Sequence, residues 1–233
     1  MTDFADKVII ITGSSSGIGL EIGLAALETG AKVVFCSRNI ESNIPEKLSG
    51  RKNYFIKNVD VGNEESVSNF FDYIEKEFGY ASILVNNAGF VNPMGLLDTT
   101  LENWNTTLNI NLTGTFLCTK FAVRLMKTKG GKIINISSTA ALTPRPGWSA
   151  YAAAKSGVIS FSSAMAEELK EYAIKIFVFC PGRTATPLRK ILAPEEDPST
   201  IMQPDAVSKI IKMSFYDEFD VLEGQPIVVR ERF

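Results

Sequence analysis

The chain contains no histidine, so any proton it moves must be carried by tyrosine, lysine, cysteine or a carboxylate. Ser-His-Asp hydrolysis, H-E-x-x-H zinc chemistry and imidazole acid–base catalysis are all removed together. Among what remains is the stretch YAAAK, in which Tyr151 and Lys155 stand four residues apart. On a helix that spacing places both side chains on one face. A free phenol, with a pKa of about 10, is a poor base near neutrality, but a cation within a few ångströms favours its phenolate. Lowering the phenol by about three pH units requires roughly 4 kcal/mol of preferential stabilisation. The same spacing also describes a solvated Tyr–Lys pair on an amphipathic surface helix. Only the surroundings can give the pair chemical meaning.

Those surroundings alternate short β-branched runs with longer segments of helical period. Lys7 to Ile11, Lys32 to Phe35, Tyr54 to Val59, Ile83 to Val85, Lys132 to Ile136, Ile174 to Phe179 and Ile227 to Val229 read as strands, mostly apolar on both faces. Between them, Glu64 to Phe78 carries Val67, Phe70, Phe71, Ile74 and Phe78 on one face, with Asn63 as N-cap and Gly79 as the stop. Strands of this kind separated by amphipathic helices predict an α/β fold: a parallel sheet covered on both faces and joined by right-handed crossovers. The 233 residues, 45% of them hydrophobic, suit a single domain. A Pro- and charge-rich segment, residues 187–204, has the length of a lid over a site.

The composition bounds partners. With 24 Lys plus Arg against 26 Asp plus Glu and a net charge of -2, no overall field attracts nucleic acid or an anionic membrane. Cys36, Cys118 and Cys180 form neither a disulfide framework nor a thiolate metal site, and read as buried thiols of a cytoplasmic protein. The N-terminal stretch resembles neither a secretory signal nor a transit peptide, and no apolar run approaches the ~18 residues of a membrane span.

The stretch TGSSSGIG, Thr12 to Gly19, follows the first strand directly and opens a helix with Ile18, Ile22, Ala25 and Ala26 at helical spacing. Glycines there let the backbone turn tightly and approach a pyrophosphate, while free N–H groups and the helix dipole meet its charge. The spacing is G-x-x-x-G-x-G rather than G-x-G-x-x-G. A glycine-rich turn of purely structural purpose remains the competing reading.

With TGSSSGIG after the first strand, NNAG at Asn86 to Gly89, Asn111 in INLTGTF, Ser138 in INISS, and YAAAK, the chain resembles the short-chain dehydrogenase/reductase family from about Lys7 to Thr186. The resemblance implies one doubly wound Rossmann-type domain of about seven strands spanning 1–233, a nicotinamide cofactor, and a tetrad of Asn111, Ser138, Tyr151 and Lys155. Reduction of a carbonyl by hydride needs a proton donor at the developing alkoxide, which suits Tyr151, with Lys155 favouring its ionised form. Ser138, at a strand end, can hydrogen-bond the substrate oxygen but is also an ordinary turn residue. Ser137 competes with it, and only the family interval to Tyr151 selects Ser138. Asn111 is implied to hold a relay water; otherwise it is a polar helix interruption satisfied by backbone.

The expected dinucleotide contacts run through Gly13, Ser15, Ser16, Gly17, Ile18 and Gly19, then Ser37 and Arg38, Asp60 and Val61, Asn86 to Gly89 with Asn87 and Ala88 between, Tyr151 and Lys155, and Pro181, Gly182, Thr184 and Thr186 in PGRTATP. The last two match the family's hold on the nicotinamide carboxamide, although Pro-Gly also makes a turn. After the second strand stands Arg38 where an NAD-preferring site places an acid, so NADP(H) is expected; Arg38 stacked on adenine or solvated is the alternative. The roof segments Thr139 to Ala150 and Arg183 to Pro204 carry Arg145, Arg183, Arg189 and Lys190, with Trp148 nearby. A cationic rim favours an anionic substrate such as a sugar phosphate; 3-oxoacyl groups and general carbonyls are the alternatives, and a non-catalytic dinucleotide sensor is a different class. By resemblance a homodimer or homotetramer is implied, with Phe116, Leu117, Phe121, Phe161 and Met165 as candidate apolar contacts, a role that packing onto the sheet explains equally well. The end of the chain, EGQPIVVRERF, departs from the family's Asn-Gly-Gly turn.

Overall fold

The computed structural model of the chain describes residues 4–143 and 145–231; Pro144, in the predicted roof, and the extreme ends of the chain lie outside the described residues. The β-branched runs become seven strands: β1 (Val8–Thr12), β2 (Lys32–Ser37), β3 (Tyr54–Asn58), β4 (Ile83–Asn86), β5 (Gly131–Ile136), β6 (Ile174–Pro181) and β7 (Pro226–Val229). They form one sheet in the order β3-β2-β1-β4-β5-β6-β7, and every neighbouring pair is parallel. The winding reverses between β1 and β4. That is where the carboxyl ends of a doubly wound sheet leave a crevice for a ligand.

Seven α-helices lie among the described residues: α1 (Gly17–Leu27), α2 (Glu64–Phe78), α3 (Leu101–Leu108), α4 (Gly114–Met126), α5 (Ser149–Glu168), α6 (Pro187–Leu192) and α7 (Pro204–Lys212). The alternation of side chains along a strand separates two cores. Ile9, Ile11, Val33 and Phe35 face α1 and α7 through Leu20, Ile22, Val207 and Ile211. Val8, Ile10, Val34 and Leu84 face α2 and α4 through Val67, Phe71, Leu117 and Phe121. Burying each such side chain contributes about 1.5–3 kcal/mol. Leu117 and Phe121, expected as possible contacts to another subunit, belong to this second core, and Met165 packs against it. Phe116 stays on the outer face, meeting Phe161 edge-on with ring centres 6.3 Å apart.

Local signals set the element ends. The Asn63 side chain accepts the Ser66 N–H at 2.8 Å, and Gly79 closes α2 with φ 74°. The predicted lid is not a bare loop. Thr186 accepts the Arg189 N–H at 3.1 Å and Pro187 occupies the first helical position, so PLRKIL folds as α6. Beyond it, Met202 returns to pair with Thr184, with the Ala185 N–H on the Met202 carbonyl at 2.9 Å.

Candidate active site

The glycine-rich turn lies against the β4 end because two hydrogen-bonding groups sew them together. The Thr12 hydroxyl accepts the N–H groups of Asn87 and Ala88 at 3.1 and 3.0 Å. Asn87 Nδ2 donates to the carbonyls of Thr12 and Gly13 at 3.1 and 2.9 Å. Gly13 adopts φ +64°, and a Cβ there would come 2.6 Å from Ala88 Cα, so no other residue fits without displacing backbone. Gly19 serves the same closeness from the helix side: its Cβ would meet the Gly13 carbonyl at 2.6 Å. Ser16 begins α1 without using its side chain as a cap, which leaves the first-turn N–H groups directed at the cleft.

This turn is one end of a cleft of about 440 Å³ that also receives Ser15, Ile18, Ser37, Arg38, Asp60, Val61, Ala88 and Gly89. Pro181, Gly182, Thr184 and Thr186 line its far wall. Such a cradle of glycine backbone, helix N-terminus and small hydroxyls suits a dinucleotide pyrophosphate, and Asp60 is the one carboxylate among the described lining residues. Arg38 is exposed beside Asn39 and Asn43, two cleft residues that no sequence signal had singled out. Two expected contacts stand behind the wall instead. Gly19 packs as described, and Asn86 points into the sheet, donating to Asn135 Oδ1 at 2.9 Å and Thr119 Oγ1 at 3.1 Å.

At the other end, β5 and the start of α5 bring Ser138, Tyr151 and Lys155 to one wall. Ser137 and Ser138 divide their work. The Ser137 hydroxyl is buried and donates to the Lys155 carbonyl at 2.8 Å, so it holds α5 to the sheet. The Ser138 hydroxyl acts on the Tyr151 phenol to favour its ionised form and accepts the Ala140 N–H at 3.1 Å. Lys155 Nζ lies 5.8 Å from the centre of the Tyr151 ring and donates to the Ile136 carbonyl at 2.9 Å.

The electrostatics differ from the sequence expectation. Burial pushes Tyr151 up to about 12, opposed by the Ser138 hydroxyl and by the Arg189 charge. Burial also brings Lys155 down to about 8. In the chain alone the ammonium does not draw the phenol down as the i,i+4 argument implies, because desolvation disfavours the charged form of both groups. Asn111 takes the place that its alternative reading, a polar helix interruption satisfied by backbone, describes. It sits in a π-helical turn, Asn109–Thr113, between α3 and α4. Its Nδ2 donates to the Phe90 and Thr107 carbonyls at 2.7 and 2.8 Å, and its Oδ1 accepts the Phe90 N–H at 3.3 Å. The side chain thus competes with the helix ladder and braces the loop behind Gly89 rather than lining the cleft.

The cationic rim is partly spent. Glu196 accepts from Arg189 Nε at 2.5 Å and Nη2 at 2.7 Å, and from Arg183 Nη1 at 3.3 Å, which also holds the carboxyl below its ordinary range. Lys190 is exposed and outside the cleft lining, and Arg145 stacks 5.6 Å above the Trp148 ring. Arg145, Arg183 and Arg189 line the cleft as expected, but Arg183 and Arg189 share the Glu196 carboxylate, which offsets part of their charge toward an anionic substrate. Leu188 and Leu192 of α6 line the cleft beside these arginines; their i,i+4 spacing was the available sign. Among the described residues no His/Cys/Asp/Glu group could hold a metal ion, and no helix is long and apolar enough to cross a membrane.

Comparison with known proteins agrees with this geometry. The chain is 36% identical to a 3-oxoacyl-(acyl-carrier-protein) reductase of Synechocystis sp. over 84% of this chain and 81% of the relative. It is also 36% identical to the NADP-dependent (R)-specific alcohol dehydrogenase of Lentilactobacillus kefiri, over 81% of this chain and 77% of the relative. A third relative, the 15-hydroxyprostaglandin dehydrogenase (NAD+) of Rattus norvegicus, is 36% identical over 82% of this chain and 73% of its own length. The profile of the short chain dehydrogenase family matches residues 7–197. The chain therefore belongs to the short-chain dehydrogenase/reductase family, a Rossmann-fold oxidoreductase that uses a nicotinamide dinucleotide on a CH–OH or carbonyl group.

Proposed function

We propose that the protein reduces a ketone or aldehyde to an alcohol with NADPH, and that its substrate is uncharged at the end nearest the roof. The observation that carries this reading is the convergence of Ser138, Tyr151 and Lys155 on one wall of the cleft whose other end is the glycine-rich turn. In this reading Gly13, Ser15, Ser16, Gly17 and Ile18 hold the pyrophosphate, and Ser37 and Arg38 take the 2'-phosphate. Asp60 and Val61 flank the adenine, and Thr184 and Thr186 hold the carboxamide. When bound, the cofactor supplies the hydride and, once oxidised, a positive charge beside the phenol. Tyr151 gives its proton to the carbonyl oxygen while Ser138 hydrogen-bonds the same atom. Lys155 orients the phenol and favours its ionised form in the reverse direction, and Asn111 positions the loop that backs Gly89.

The choice of NADPH rests on Arg38 and on the lack of an acid at the end of β2. Leu188, Leu192 and Trp148 support 3-oxoacyl or general carbonyl substrates over a sugar phosphate. The exposed Phe116, beside Phe161 on the outer face of α4 and α5, supports a homodimer or homotetramer docked through those helices. A screen following NADPH absorbance against a 3-oxoacyl thioester, simple ketones and a ketose phosphate tests the reading. Preferential turnover of the ketose phosphate contradicts the uncharged substrate, and no turnover in any class favours a dinucleotide sensor.

A further inference from the structure

Arg189 gives no proton and no hydride contact in the chemistry described above, yet its guanidinium is held from two sides. The guanidinium grips both oxygens of Glu196 at 2.5 and 2.7 Å and its Cζ lies 5.8 Å from the centre of the Trp148 ring, while the backbone N–H of the residue is fixed by the Thr186 cap of α6 at 3.1 Å. Its side chain is 13% exposed, and it lines the same cleft as Tyr151 and Ser138. Trp148 stands one turn before Tyr151, so this lock sits over the start of the helix that carries the phenol. A solvated loop arginine needs no such arrangement.

We propose that Arg189, locked by Glu196 against Trp148, is a second cation of the active site that steadies the phenolate of Tyr151. Glu196 is a positioning residue that sets how much of that charge the phenol feels. The inference rests on the reading of Tyr151 as the acid/base. The charged groups of this part of the cleft are Lys155 on the phenol's own helix and Arg189 from α6 with its paired Glu196, and Arg145 and Arg183 on the rim; Cys180 of β6 lies near Lys155. The Arg189 charge acts to lower the phenol, against burial, in keeping with this role.

The test is the pH dependence of kcat/KM for oxidation of 1-phenylethanol, an uncharged alcohol, by NADP+, a direction in which Tyr151 must be ionised to accept the proton. Arg189→Met is expected to move the rising limb up by about 0.5–1 pH unit, and Arg189→Lys, which keeps the charge, to restore it. Glu196→Gln keeps a hydrogen-bonding partner but removes the opposing charge, so its limb moves down. In the same variant the phenolate absorbance that Tyr151→Phe abolishes should develop at lower pH than in the unmodified chain, a readout that needs neither turnover nor cofactor. Unmoved limbs in Arg189→Met and Glu196→Gln, with Tyr151→Phe inactive, overturn the role of Arg189 alone. If Tyr151→Phe oxidises the alcohol at the unmodified rate, the reading beneath it fails instead. Should Arg189→Met not fold, an unmoved phenolate transition in Glu196→Gln overturns the proposal by itself.

Discussion

Replacing Lys155 by Met separates the stability of this protein from its chemistry. Lys155 is 4% exposed, and burial brings its ammonium from the ordinary 10.5 to about 8. Because the folded-state pKa lies below the unfolded one, folding disfavours the charged form. The penalty is therefore fully present below pH 8 and is relieved as pH rises from 8 to 10.5. At about 1.36 kcal/mol per unit, it amounts to roughly 3 kcal/mol at pH 7 and about 1.4 kcal/mol at pH 9.5. Met removes the charge but leaves the Ile136 carbonyl without its 2.9 Å donor, a loss of about 1–3 kcal/mol that does not depend on pH. The pH-dependent difference is thus the sharper readout. Between pH 7 and 9.5 the unmodified protein should gain roughly 2 kcal/mol on the variant, or about 4–8 °C in Tm for a chain of this size. Calorimetry of both proteins without cofactor at a series of pH values measures this directly. Tyr151, raised to about 12, contributes the opposite slope only above pH 10, outside the window. Melting temperatures that run parallel across that window refute the claim that Lys155 is buried at a cost to the fold.

Two further outcomes follow from the cofactor end of the cleft. Arg38→Asp should weaken NADPH by about 10–100-fold, the worth of one charged hydrogen bond, while changing NADH only a few-fold; equal losses in fluorescence titrations contradict the 2'-phosphate assignment. Gly13→Ala forces a side chain to φ +64° and against Ala88, so it should cost about 1–3 kcal/mol in denaturant unfolding and abolish dinucleotide binding. An Ala variant that binds NADPH normally shows that this turn does not approach the cofactor.

The sheet was legible because its strands are buried on both faces, so runs such as VIII and KVVFCS read continuously, and because cap and stop residues such as Asn63 and Gly79 act over a few positions. The cleft was legible for a related reason: glycines such as Gly13 are demanded by local backbone geometry. What escaped the sequence depends on distant partners. Glu196 reads as one of three consecutive acids in a polar loop until the fold places Arg189 and Arg183 around it. Asn111 stands in a family motif, but the bond of its amide to the Phe90 carbonyl, 21 residues back in the chain, shows only in the fold. The balance at Tyr151 escaped for another reason. Spacing shows that Lys155 shares its helix face, yet only the packing of Val91 and Ala140 around the phenol reveals that desolvation outweighs the neighbouring charge.

The central claim, that Tyr151 carries the proton in a chain without histidine, is tested most directly by single-turnover oxidation of NADPH with Tyr151→Phe. The substitution removes one hydroxyl and keeps the ring packed against Val91 and Ala140. It should therefore leave NADPH affinity within a few-fold while lowering the carbonyl-dependent rate by at least about 100-fold, the scale of general acid catalysis. A variant that binds NADPH normally and reduces the carbonyl at the unmodified rate contradicts the account.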